Sequence, residues 1–205
     1  MIEWQHILEF WFGPMDGNGL PDRAHRERWF RVDRAFDREI RRRFLTMMLV
    51  ASEGGLEPWR KYPGGRLAEI ILLDQVPRNI YRGTALVYSH DALARNCCRE
   101  GLEKAADVEL PLIGRAFFYM PLQHSEKRAD QNQAAGLYEQ LVALAPAGPA
   151  RDTLDAFYRS AQNHRRIIER FGRFPHRNRI LKRTSTAEEV EFLAAGADDF
   201  GQSGG

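Results

Sequence analysis

The residues most able to do chemistry are three histidines, His124, His164 and His176, with carboxylates Glu126 and Asp130 close by in sequence. Imidazoles beside carboxylates suit general acid–base catalysis, because a fixed carboxylate sets the ring tautomer and raises its pKa. Arg173 and Arg177 flank His176 within Phe171-Gly172-Arg173-Phe174-Pro175-His176-Arg177-Asn178, and Pro175 is placed to open a short helix. Guanidinium forks near freed backbone donors would suit an anion such as a carboxylate or phosphate. The other account is that these arginines pair with Asp130, Glu126 or carbonyl groups and lock the fold. A further polar patch, Asp74, Arg78 and Asn79, interrupts the most apolar stretch of the chain, where charges should be paired or functional. Asp74 could equally cap a helix restarted at Pro77.

These groups need elements to position them. The apolar spacing predicts two long helices, Ser125–Ala145 and Asp152–Phe171, joined by a short Pro- and Gly-containing loop, hence an antiparallel hairpin. On the first, Ala134, Leu137, Leu141 and Leu144 form a stripe that runs back into Asp130, Glu126 and Gln123. Acidic residues favour helix N-termini, which could explain Glu126, whereas Asp130 lies deeper. On the second, His164 falls on the stripe of Leu154, Phe157, Ala161, Ile168 and Phe171. A lone histidine there would be a satisfied core residue, but the hairpin should carry the acidic end of one helix toward His164 and Arg170 of the other.

The rest of the chain reads as helix and loop. A short apolar helix stops at Gly13-Pro14, a helix capped by Asp33 follows, and Pro63-Gly64-Gly65 marks a strong break. A buried helix over Arg66–Tyr81 should kink at Pro77, which lacks a backbone donor and crowds the Leu73 carbonyl. Ser89 should cap a helix to Ala105, an aromatic helix from Pro111 should end at Met120-Pro121, and Thr186 with Glu189 should box the last helix. Ala85 to Tyr88 is a faint strand candidate. The fold class is all-α, as one domain over residues 1–200 with a tail at 201–205.

Composition excludes several functions. Thirty Lys and Arg against 28 Asp and Glu give too small a basic excess for a nucleic-acid binder. No apolar run reaches the length of a membrane span, and no secretory leader is expected, so the expected location is cytoplasmic. The adjacent Cys97 and Cys98 read as buried small hydrophobes. No Walker loop, dinucleotide fingerprint or metalloprotease motif is present, and the histidine spacing fits no tight metal pattern. No cofactor or metal is therefore expected.

Four blocks carry a resemblance. They are Ile7–Gly13, Ile71–Asn79 (Ile-Leu-Leu-Asp-Gln-Val-Pro-Arg-Asn), Phe118–Glu126 (Phe-Tyr-Met-Pro-Leu-Gln-His-Ser-Glu) and Phe174–Asn178 (Phe-Pro-His-Arg-Asn). In this order and over nearly the whole length, the chain resembles the largely bacterial, uncharacterised family called domain of unknown function 924. That resemblance implies an all-helical, tetratricopeptide-like superhelical architecture and carries no activity.

Two functions follow as expectations. In the first, a pocket binds a small anionic ligand, with His124, His164 and His176 as acid–base groups oriented by Glu126 or Asp130. Asp74, Arg78, Asn79, Gln123, Arg173, Arg177 and Asn178 would hold the ligand and Tyr119 and Phe174 would wall it, for a cofactor-independent hydrolysis or group transfer. Ser125 is the nearest hydroxyl but also the obvious helix cap. In the second, the protein is a tetratricopeptide-like interaction module whose polar cluster clamps a peptide terminus.

Overall fold

The computed structural model describes residues 3–196, so the tail read at 201–205 lies outside the described residues. The fold is all-α: among the described residues the only β-type pairing is an isolated bridge between Met15 and Pro21. The helices are α1 (Trp4–Phe12), α2 (Arg23–Arg28), α3 (Arg34–Ser52), α4 (Pro63–Ile70), α5 (Val76–Ile80), α6 (Asp91–Glu103), α7 (Leu112–Gln123), α8 (Arg128–Leu144), α9 (Pro149–Phe171) and α10 (Ala187–Ala194). None is long and apolar enough to cross a membrane.

Local signals set most of the helix ends. Gly13 (φ 63°) and Gly172 (φ 70°) end α1 and α9 in backbone regions that favour glycine. The Asp33 side chain accepts from two amides of α3, and Thr186 and Glu189 close a capping box on α10. Four readings need correction. Ala85–Tyr88 is a 3-10 turn rather than a strand, and Ser89 Oγ donates back to Leu86 O instead of capping α6. α7 runs through Pro121 to Gln123, because only the Phe117 carbonyl loses its donor there and the helix is otherwise fully packed. α4 begins at Pro63, so Gly64 and Gly65 lie in its first turn.

Those glycines are there for close approach. A Cβ on Gly65 would stand 2.3 Å from the Trp59 carbonyl oxygen, and one on Gly64 2.5 Å from the Trp4 ring. Gly65→Ala, which meets rigid backbone, is expected to cost about 1–3 kcal/mol by overpacking. Urea titration measures it, and a stabilised variant would show that the contact relaxes freely.

The buried helix is interrupted just ahead of Pro77, which sits in the first turn of α5. Between α4 and α5 the backbone widens into a π-turn over Ile71–Gln75, in which the Val76 amide donates to Ile71 O. The segment is buried on every side and carries both aliphatic and charged residues: Ile70 to Leu73 are about fully buried, and so are Arg66, Glu69 and Asp74. Glu69 takes a two-pronged bond from Arg60, at 2.8 Å on each oxygen. Cys97 and Cys98 are free and buried, and burial pushes the Cys97 thiol up to about 12, so both behave as inert core residues.

α8 and α9 form the expected antiparallel hairpin and pack on α7. The buried face of α8 is Asp130, Gln131, Ala134, Ala135, Tyr138 and Leu141, while Leu144 is exposed at the helix end. The first turn also starts later than expected, at Arg128. Ser125 and Glu126 therefore belong to the α7–α8 connection.

Candidate functional site

A cavity of about 540 Å³ lies between α5, α7, α9 and the segments around Trp29, Tyr88 and His176. Its lining brings together seven of the residues picked out by sequence: Arg78, Asn79, Gln123, His124, His164, His176 and Arg177. Among the described residues, four arginines (Arg26, Arg78, Arg82, Arg177) and three histidines line it, and no acidic side chain does.

The π-turn positions the central pair. It sets Asp74, wholly buried, behind the C-terminal end of α7, where His124 Nδ1 lies 2.8 Å from Asp74 Oδ1. Burial works against the Asp74 charge, but Arg78 and His124 outweigh it and hold the carboxyl well below the usual range. An ionised carboxylate can only accept, so His124 Nδ1 carries the proton and Nε2 keeps its lone pair while the ring is neutral. Burial first, then Arg78, lowers the His124 pKa despite Asp74.

His164 is neutral too. Its Nδ1 donates to Ser160 O at 2.8 Å, one turn back on α9. The Gln123 amide nitrogen, 3.3 Å from that same Nδ1, is then a meeting of two donors and no hydrogen bond; Gln123 Nε2 donates instead to Ser160 Oγ at 3.1 Å. Burial, followed by the nearby His124, pushes His164 well below its ordinary value. The carboxylates expected to raise it turn elsewhere, Asp130 to Arg99 and Glu126 to Arg183. The two rings lie 6.2 Å apart, both with Nδ1 committed to the protein.

Carboxylates outside the lining fix the cationic wall. Arg78 donates to both oxygens of Asp91 at 2.9 and 3.2 Å and stands 3.3 Å from Asp74. Arg177 lies 3.7 Å from Asp91, donates to His124 O at 2.9 Å, and sits over the rings of Tyr88 and Phe174. Arg82 pairs with Asp37 at 3.1 Å. Such backing holds each guanidinium in place before any ligand arrives. Tyr88 Oη, buried beside the cavity, has no hydrogen-bond partner among the described residues, as expected of a group that meets a ligand.

The other residues chosen from sequence do not line the cavity. Asp130 is fully buried against Arg99, Arg95 and Ser125 Oγ, away from His164. Glu126 accepts from Arg183 and from the Phe174 amide; burial opposes its charge, and these bonds still hold it below the carboxylate range. Arg173 and Asn178 both donate to Glu189 of α10. Tyr119 Oη donates to Asp107 at 2.5 Å, inside the core. Phe174 is fully buried and backs the cavity edge-on to His164. Ser125 Oγ is engaged by Asp130 and Lys127, while the aliphatic hydroxyls among the lining residues are Thr153 and Ser160.

Sequence reasoning missed Arg26, Trp29, Phe30, Gln75, Arg82, Tyr88, Met120 and the α9 residues Thr153, Ala156 and Ser160. The last three had a signal: together with His164 they step by three and four along one helical face. Arg26 had none, because in a six-residue charged helix it looks like any solvated side chain.

Known proteins agree with this architecture. A solved structure, described as "Structure of Protein of Unknown Function ATU0120 from Agrobacterium tumefaciens", is 36% identical, with a TM-score of 0.80 over 94% of this chain and 97% of that one. No curated protein matches the chain. The sequence profile of the family described as "Bacterial protein of unknown function (DUF924)" matches residues 7–197. On that match over almost its whole length, the chain belongs to this DUF924 family of bacterial proteins of unknown function.

Proposed function

We propose that the cavity binds a small organic anion with an apolar portion, and that His124, oriented by Asp74, acts on it as a general base. The carrying observation is the lining among the described residues: four arginines and three histidines, no carboxylate, and an apolar sector of Trp29, Phe30, Met120 and Phe157. The volume fits a metabolite-sized ligand. Arg78 and Arg177 would fix the anionic group beside His124. A water held at His124 Nε2 would lose a proton to that nitrogen while its oxygen attacks an acyl or phosphoryl centre. The imidazolium would then return the proton to the leaving group. Asp74 stabilises the imidazolium and is not itself protonated. Hydrolysis or group transfer to a hydroxyl fits without a cofactor. The reading places the protein in the bacterial cytoplasm, and the unpaired buried thiols support that setting.

The test is a thermal-shift screen of alkyl and aryl carboxylates and phosphomonoesters, with C-terminal peptides alongside. A true ligand at a hundred times its Kd adds about 2.7 kcal/mol. Phe30 is 59% exposed at the mouth, so Phe30→Glu should leave the fold intact and remove the shift by adding a negative charge. Shifts from peptides alone would favour the alternative, a tetratricopeptide-like clamp for a chain terminus. Shifts that survive Phe30→Glu would sink the proposed site.

A further inference from the structure

We propose that the cavity has two anion subsites at opposite ends, and that its ligand is an elongated organic anion with an acidic group at each end and an apolar middle. This rests on the small-anion reading above.

The first observation is the course of α9. Thr153, Ala156, Phe157, Ser160 and His164 all face the cavity along one helical stripe. From Thr153 to His164 the stripe runs roughly 16 Å at 1.5 Å per residue. The site is thus longer than any single anionic group needs.

The second observation is the order of chemistry along that line. His164 marks one end, where His124 lies 6.2 Å away ring to ring and Arg177 donates to the His124 carbonyl. The middle is apolar: Phe157 packs against Trp29 at 6.4 Å and Phe30 at 5.7 Å between ring centres. At Thr153 the polarity returns with a cation, for Arg26 Nη1 donates to Thr153 Oγ1 at 3.2 Å. Its Nε donates to Pro21 O at 3.0 Å, so the guanidinium is held at two points, by the loop ahead of α2 and by α9.

The third observation separates Arg26 from the other three arginines. Arg78, Arg82 and Arg177 each lie near a carboxylate. Arg26 makes no ion pair among the described residues; its hydrogen-bond partners there are a neutral carbonyl and a hydroxyl. A half-buried arginine with a fixed fork and no counter-ion is a site for an incoming carboxylate, because charge-assisted bonds form there without first breaking an internal pair. At the His124 end a ligand instead shares cations that already have partners. The Arg26 end therefore sets specificity for the second acid group, and Arg26 is a binding residue rather than a catalytic one.

The experiment compares α,ω-dicarboxylates with monocarboxylates of equal length, about eight to fourteen carbons to match a 10–16 Å span, by calorimetry on the full chain. Expected is a dicarboxylate preference of about tenfold or more in the wild type, with the optimum at one intermediate length. Arg26→Gln should abolish the preference and leave monocarboxylate affinity within about twofold. Arg26→Lys, which keeps the charge but loses the fork, should restore part of it. Equal affinity for both series in the wild type overturns the second subsite and leaves the small-anion reading standing. Absence of binding by every member of both series overturns the two together.

Discussion

Replacing Asp74 by alanine is expected to cost about 3–5 kcal/mol of unfolding free energy, the largest effect of any single side chain around the cavity. The carboxylate is completely buried and answers three groups: the Arg78 guanidinium, His124 Nδ1 and the Gln75 amide. Alanine leaves Arg78 with the residue-74 carbonyl and Asp91, and strips the buried His124 Nδ1 donor of its acceptor. The pH dependence has a definite sign. The folded-state pKa of Asp74 lies below its unfolded value, so its contribution is complete above about pH 4 and is lost as pH falls through the depressed folded value. The wild-type advantage should therefore persist at neutral pH and shrink only in strong acid. Asp74→Asn separates the two roles of the residue. Asparagine keeps the shape, but its carbonyl is a weaker acceptor and its NH2 would select the other His124 tautomer. Turnover on any substrate found should then fall much further than stability does. Equilibrium urea unfolding from pH 2 to 8 measures the first effect. A loss below about 1 kcal/mol at pH 7 would remove Asp74 from its central place.

Acid should destabilise the fold well before its carboxylates titrate, and His164 should be the main cause. Its folded pKa lies well below its unfolded value near 6.5, through burial first and the neighbouring His124, Arg177 and His176 next. A depressed histidine contributes stability that is whole above the unfolded value. That contribution falls as pH drops below about 6.5, until the folded value is reached. The slope is about 1.4 kcal/mol per pH unit for each such histidine. As pH falls below 6.5, His164 should cost stability at up to that slope, and His124 should add a smaller share because Asp74 opposes its shift. His164→Leu, similar in bulk and unable to charge, should flatten this slope. It also forfeits the bond to Ser160 O, which costs on the order of 1 kcal/mol at pH 7.5. Urea midpoints at pH 7.5, 6 and 5 decide it: an unchanged slope in the variant would mean that His164 is not held neutral by its surroundings. An anion bound beside the rings should oppose the effect by favouring the imidazolium, so the slope itself reports occupancy of the cavity.

The sequence by itself determined the helical class, the caps at Asp33, Thr186 and Gly172, the helix restart at Pro77 and the α8–α9 hairpin. Each is written within about one turn of chain, in residue types whose backbone preferences act locally. It also marked His124, His164, Arg78 and Arg177 as polar groups in apolar company. Which carboxylate serves which base was decided only by the tertiary structure. Asp130 and Glu126 stand next to His124 in sequence yet turn to Arg99 and Arg183, whereas Asp74, fifty positions away, reaches the imidazole. Ion-pair choice depends on distances of a few ångströms between helices, and these follow from how whole faces pack rather than from any local rule. The same reason hid Arg26, whose meaning lies entirely in α9, across the cavity from its own short helix.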